Sequence, residues 1–194
     1  GPIFPDQAET VLDLDIEQMA FRTEVLAALS RAAEQRQTRA KIHIKIDTGM
    51  SRYGVHFDNA VELIQKAQAM PGLEIVGAFS HFPKSDAVDK SFALLQIERI
   101  KNIKRKVEAL GIQIPTWHLC NSGGTLDLPP AHFDMVRDGL MLYGYFPSQD
   151  VRKPFELKPA MHVRARIAVL RDIQRGDTVG YGRRFMATGD ERIA

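Results

Sequence analysis

The apolar periodicity of the chain switches between about two and about 3.6 residues at least three times before residue 137, and this switching narrows the fold more than any other feature. Thr23 precedes Glu24 and the helical spacing Val25, Leu26, Leu29, Ala32, Ala33, with Thr23 as its expected cap. Lys41 to Asp47 then alternates polar and apolar side chains as a strand does. Asn59 to Met70 reads as a helix closed by Pro71-Gly72, Leu73 to Phe79 as a strand, and Asp89 to Leu110 as a long helix stopped by Gly111. Thr116 to Leu119 and Asp134 to Arg137 are further short strands, while Asp6 to Asp13 and Glu17 to Phe21 form an opening helix and an extended piece. Strand and helix in turn build a parallel sheet covered by helices. A barrel and an open doubly wound sheet both satisfy the pattern, although no Gly-x-Gly-x-x-Gly loop follows a strand.

The pattern changes after Gly144. Pro147, Pro154 and Pro159 punctuate a connection, and Met161 to Leu170 alternates along an expected long strand. Arg175-Gly-Asp177 reads as a turn, and Thr178 to Gly182 resumes extended structure. A β-rich second domain is expected to begin here.

Composition excludes several classes. With 44% apolar and 26% charged residues and a formal charge of +2, the chain is neither disordered nor strongly basic. Its basic residues are interleaved with acids, so no nucleic-acid partner is expected. Cys120 is the only cysteine, which rules out an internal disulfide and a cysteine metal cluster, and the six histidines form no ligand-spaced group. No apolar run reaches membrane-spanning length and the N-terminus reads as no signal peptide, so a soluble, cytoplasmic protein is expected.

Parallel β/α folds bind ligands at the carboxyl ends of their strands, and polar groups gather there in this chain. Lys45 and Asp47 are expected on the same side of one strand, close enough to pair, with Arg52 returning after Thr48-Gly49 to complete a network. A solvent-facing Lys45 on an edge strand is the plainer reading. His81 follows the strand ending at Phe79 and reads either as a packing histidine or as a ring against a planar ligand. His118, between Trp117 and Leu119, reads as structural. Asn121-Ser122-Gly-Gly is a candidate anion-binding loop or an ordinary turn, and Gly139-Leu140 after Arg137 offers further amides.

Together these segments resemble the alanine racemase family of pyridoxal-phosphate enzymes. The resemblance rests on His43-Ile-Lys-Ile-Asp-Thr-Gly-Met-Ser-Arg-Tyr-Gly54, Gly77-Ala-Phe-Ser-His-Phe82, His118-Leu-Cys-Asn-Ser122, Val136-Arg-Asp-Gly-Leu-Met-Leu-Tyr-Gly144 and Leu157-Lys-Pro159, with Val179-Gly-Tyr-Gly-Arg183 as a later signature. It implies an α/β fold: a partial TIM-like (β/α) barrel over 1–145 that carries the cofactor site, then a linker and incomplete β domain over 146–194. Pyridoxal 5'-phosphate is the implied cofactor, L-alanine and D-alanine the implied substrates, and a homodimer the implied assembly.

By the same resemblance, Lys45 is the position often carbamylated, and it orients Arg52, which contacts the phenolic side of the cofactor. Lys45 and Arg52 are thus the implied catalytic pair. His81 supports the pyridine ring, Arg137 faces its nitrogen and disfavours protonation there, and Asn121 and Ser122 with the Gly139 and Leu140 amides hold phosphate. The family's Lys-Ala-Asn-Ala-Tyr-Gly-like motif, which carries the cofactor-linking lysine, does not occur in these residues, and Tyr181 does not match the catalytic tyrosine. The parent enzyme is therefore expected to interconvert the alanine enantiomers, while the 194-residue chain alone is expected to be inactive. Ser51, Asp138 and Gly123-Gly124 depart from common family residues, which leaves a broader-specificity racemase open, as well as a non-catalytic cofactor-binding or structural protein.

Overall fold

The computed structural model describes all residues 1–194. They divide into two compact units, Gly1–Ala160 and Met161–Ala194. In the first unit, strands β1 (Gln18–Ala20), β2 (Ala40–Asp47), β3 (Val55–His56), β4 (Leu73–Phe79) and β5 (Thr116–His118) alternate with helices α1 (Ala8–Asp13), α2 (Thr23–Gln35), α3 (Ala60–Gln68), α4 (Ser91–Ala109) and α5 (Ser122–Asp127). The sheet order is β1-β2-β4-β5, every pairing is parallel, and β3 adds to the end of β2. This is the partial (β/α) barrel that the resemblance implies, where alternation by itself left an open sheet equally possible.

The two faces of β2 divide the labour. Ile42, Ile44 and Ile46 are fully buried in one apolar cluster with Leu26, Leu29, Ile64, Ile97 and Ile100 from the helices. The intervening His43, Lys45 and Asp47 point to the opposite face, as the two-residue period of a strand requires. Truncating one of these isoleucines to alanine removes about 2–5 kcal/mol of stability in such a site. Helix α2 is held the same way, by a buried stripe of Val25, Leu26, Leu29, Ala32 and Ala33. Its N-cap is Arg22, without a side-chain cap bond, so Thr23 is the first helical residue and not the cap.

Register across β2 and β4 carries one irregularity. Ile42 faces Ile75 but His43 faces Gly77, so Val76 is the extra residue of a β-bulge. Gly77 is required there: an ideal Cβ would stand 2.1 Å from His43 Nδ1. Beyond the bulge, Phe79 faces both Lys45 of β2 and His118 of β5.

Two expected strands need correction. Asp134 to Arg137 does not form a strand; it runs beside β5 through a single bridge, Met135 to His118, with Asp134 N–H on the Trp117 carbonyl and Arg137 N–H on the Cys120 carbonyl. Met161 to Leu170, expected as a long strand, forms no ladder, and its residues are exposed. Alternation supplies a strand's two faces but not its partner, and no segment of this chain pairs with it. The second unit instead holds two short antiparallel pairs, β6 (Arg171–Ile173) with β9 (Glu191–Ile193) and β7 (Thr178–Val179) with β8 (Phe185–Met186).

The close approach at the bulge makes a prediction. Gly77→Ala should destabilise the chain by about 1–3 kcal/mol through overpacking, and adding His43→Ala should restore part of that loss. Equal losses in the single and double variants, measured by urea unfolding, would contradict the contact.

Candidate functional site

The ends of β2, β4 and β5 and the segment that carries Arg137 converge on the polar face of the sheet. Lys45 is buried, its ammonium donating to the Ile46 carbonyl at 3.1 Å and lying 5.1 Å from the centre of the Phe79 ring. The Arg137 guanidinium lies at the same distance from that ring, and His118 stacks on it with centroids 4.6 Å apart and planes 5° from parallel. Phe79 is thus the common floor for two cations and an imidazole, a role that its place in an apolar run concealed.

Arg137 is the most heavily engaged group. It donates to His118 Nδ1 at 2.5 Å, to the Ser80 carbonyl at 2.8 Å and to His81 Nδ1 at 3.2 Å. Burial lowers its pKa to about 10, which leaves it charged at neutral pH. Its charge in turn weighs on its neighbours. Burial, then Arg137 and then Lys45, push His81 down to about 4; burial, Arg137, His43 and Lys45 push His118 down to about 3. Both rings are neutral at pH 7, which suits their role as acceptors from Arg137. His118 therefore belongs to the site as well as to the core.

The expected Lys45–Asp47–Arg52 network is not the one that forms. Asp47 Oδ1 instead accepts from the backbone N–H groups of Gly49, Met50 and Ser51 at 2.9, 2.9 and 3.1 Å. Burial pushes that carboxyl up, but the three amides outweigh it and hold its pKa below the ordinary carboxylate value. A carboxylate two residues before a glycine turn finds donors nearer than the Lys45 ammonium. The loop is anchored from below: Thr48 is fully buried, takes a bond from Gln96 at 2.9 Å, shares one with Ser80 at 2.7 Å, and gives its carbonyl to Arg99 at 2.6 Å. Arg52, at the exposed side of this loop, makes no hydrogen bond or ion pair, and its guanidinium lies 5.7 Å from the Tyr53 ring centre. Its charge still contributes to lowering Lys45 and His81.

Beside Arg137 opens a cavity of about 270 Å³, whose wall includes His81, Asn121, Ser122, Gly123, Gly139 and Leu140. The expected turn at Asn121 is the start of α5, with the Asn121 side chain accepting from Gly124 N–H at 3.1 Å and from the Ser85 hydroxyl at 2.5 Å. Asn121 is thereby a cap, committed to its own helix. Ser122 Oγ accepts the N–H groups of Gly139 and Met141 at 3.2 and 3.3 Å. With both lone pairs occupied, the Ser122 proton is free to donate into the cavity. The Gly139 amide is spent on Ser122, whereas the Leu140 amide has no partner in the chain. Of the expected site residues, Lys45 and Arg137 meet at Phe79, and His81, Ser122 and Leu140 line the cavity with Arg137; Phe79 and His43 were not expected there, and Gly77 inside a strand was the available signal for His43.

A cavity at the carboxyl ends of parallel strands, bordered by the Arg137 guanidinium, the His81 ring and the Ser122 hydroxyl, is where a protein of the (β/α)-barrel class holds a small molecule. Residues 1–147 match the family described as alanine racemase, N-terminal domain, and the chain belongs to the alanine racemase family. It is 38% identical over 189 residues to alanine racemase 2 of Caldanaerobacter subterraneus subsp. tengcongensis, covering 97% of this chain and 49% of that protein. It is 36% identical to an alanine racemase of Clostridium perfringens, covering 96% of this chain and 49% of that one. Among solved structures, the alanine racemase of Clostridium difficile 630 superposes with a TM-score of 0.83 at 29% identity, covering 99% of this chain and 51% of the other. The chain spans about half the length of the relatives it matches.

Lys45 gives a pH prediction. Burial, with Arg137 and Arg52 adding to it against the opposing pull of Asp47, lowers its pKa from 10.5 to about 8. Between those values the unfolded chain binds more protons than the folded one, so stability rises with pH from about 8 to 10.5, and the full penalty, about 3 kcal/mol, applies below 8. In CO2-free buffer, Lys45→Met should therefore be the more stable form at pH 7, with the difference shrinking as pH rises through that window. A variant less stable than the unmodified chain at pH 7 would overturn this.

Proposed function

We propose that the first unit is the cofactor wall of an amino-acid racemase: pyridoxal 5'-phosphate is its ligand, and the whole protein interconverts L-alanine and D-alanine. The observation that carries this reading is the Ser122 hydroxyl, its oxygen taken up by two N–H groups and its proton left to donate, at a cavity that the charged Arg137 also borders. The residues fit the group. A phosphate needs donors, and the Ser122 hydroxyl and the unpartnered Leu140 amide supply them. Gly123 keeps the wall clear, since an ideal Cβ would stand 2.7 Å from Ser85 Oγ and 3.1 Å from Asp86 Cβ. The neutral His81 edges the same cavity.

When bound, pyridoxal phosphate withdraws electrons from the α carbon of an amino acid so that its proton can be removed. The chain's own residues set the electrostatics. Arg137 places a permanent cation at the cavity wall, which opposes any second positive charge beside it. Lys45, with its pKa near 8, carries a substantial neutral amine fraction at pH 7.5 and so can take up CO2. A carbamate there would bring a negative charge between Arg137 and the Arg52 loop, where Lys45 already feels both guanidinium groups. Arg52, free of other partners, would be available to it.

Removing a proton from one face and returning it to the other needs two bases. The cavity wall holds no lysine and no tyrosine, so the 194-residue chain is expected to bind cofactor without racemising alanine. A homodimer is part of the same reading, supported by the exposed Leu142, Tyr143 and Tyr145 beside the cavity loop. A cytoplasmic setting is part of the same reading.

Titrating the chain with pyridoxal phosphate, followed by cofactor absorbance, should show saturable binding that weakens about tenfold in Ser122→Ala, as expected for one charge-assisted bond. Mass spectrometry in bicarbonate should show a gain of one CO2 that Lys45→Met abolishes. Cofactor binding indifferent to Ser122 would remove the phosphate assignment, and measurable alanine racemisation by this chain would refute its inactivity.

A further inference from the structure

Arg137 lines the cavity, and its Nη1 is engaged by a row of groups that lie outside the cavity lining. His118 Nε2 lies 2.9 Å from His43 Nδ1, and His43 Nε2 lies 2.9 Å from Glu17 Oε2. With the 2.5 Å bond from Arg137 to His118 Nδ1, the row runs from the guanidinium through two imidazoles to a carboxylate just ahead of β1. The sheet is built to admit it. The bulge at Val76 sets His43 opposite Gly77, and only the missing Cβ of Gly77 leaves room for the His43 ring.

The direction of every bond in the row follows from one fact: guanidinium has donors and no acceptor. Arg137 must donate to His118 Nδ1, so the His118 proton sits on Nε2. That N–H must donate to His43 Nδ1, which places the His43 proton on its Nε2 and aims it at the Glu17 carboxylate, an acceptor. Reversing the row would require Arg137 to accept a bond. The row therefore cannot pass a proton along by tautomer exchange; it can transmit orientation and polarisation.

We propose that Glu17, acting through His43 and His118, is a positioning residue for Arg137: the locked row holds both histidines as Nε2–H tautomers and fixes the guanidinium edge that faces the cavity. This rests on the proposed function only for its purpose, since a charge set beside a cofactor has its effect only if it stays in place. A side chain with the rotamer freedom of arginine needs such restraint.

The test uses the full chain labelled with 15N in histidine and arginine side chains, at pH 7. The imidazole spectra should show His118 and His43 each protonated at Nε2 and bare at Nδ1, and the Arg137 Nη protons should be sharp and slow to exchange. Arg137→Leu should release the lock, so that the Nδ1–H form appears at His118. Glu17→Ala should lose the slowly exchanging His43 Nε2 proton and broaden the Arg137 signals, whereas Glu17→Gln, whose amide oxygen still accepts, should keep both. A His118 protonated at Nδ1 in the unmodified chain would overturn the proposal without any variant having to fold. So would Arg137 signals that Glu17→Ala leaves unchanged. Pyridoxal phosphate titration of the same samples separates the two readings: no binding with the tautomers as expected removes the cofactor and leaves the row, and binding with the wrong tautomers does the reverse.

Discussion

A half-buried guanidinium sets the terms for this site. Arg137 can give hydrogen bonds but take none, so every polar group around it must present an acceptor, and the Ser80 carbonyl, His118 Nδ1 and His81 Nδ1 do so. Its charge then propagates. Burial is the largest cause of the lowered pKa values of Lys45, His81 and His118, the Arg137 charge adds to it in all three, and the two imidazoles stay neutral. Neutral rings are the ones that can accept from Arg137, so the charge and its hydrogen bonds support each other. Phe79 completes the arrangement by offering a ring face to Arg137 and Lys45, which lowers the cost of holding two cations above one strand.

The sheet pays for this polar face with its apolar one. Ile42, Ile44 and Ile46 alternate with His43, Lys45 and Asp47, so the same strand that anchors the core delivers the site. A regular ladder would have set His43 against a side chain. The bulge shifts it to Gly77 instead, and so turns a packing problem into a slot for an imidazole. Asp47, which by register alone belongs with Lys45, is drawn off by three loop amides, leaving Lys45 with little compensation for its burial. That imbalance is why its pKa falls. It also gives the loop bearing Arg52 a fixed base while its exposed tip remains free.

Much of the fold could be read directly from periodicity. The elements over Lys41–Asp47, Leu73–Phe79 and Asp89–Leu110 are present within a residue or two of the spans that spacing and the punctuation at Pro71-Gly72 and Gly111 mark out. Where periodicity misled, the missing information was a partner. Met161 to Leu170 has a strand's alternation and no ladder, and Asp134 to Arg137 has one bridge only. The expected Asn121 turn became a helix because its side chain caps the Gly124 amide, a local bond that composition alone leaves equally compatible with a turn.

The sequence by itself determined that parallel strands and helices alternate, that charge and hydroxyl groups collect at the strand ends, and that ordered blocks resemble those of the alanine racemases. Those properties are local, carried by period, spacing and residue type. Which groups would face one another was left to the tertiary structure. A bulge of one residue reassigned His43 to Gly77, Arg137 met His118 and the Ser80 carbonyl, and two N–H groups from a distant segment took up the Ser122 hydroxyl oxygen. Hydrogen bonds between residues far apart in the chain depend on register and on competition among nearby donors, and both are settled only when the strands have come together.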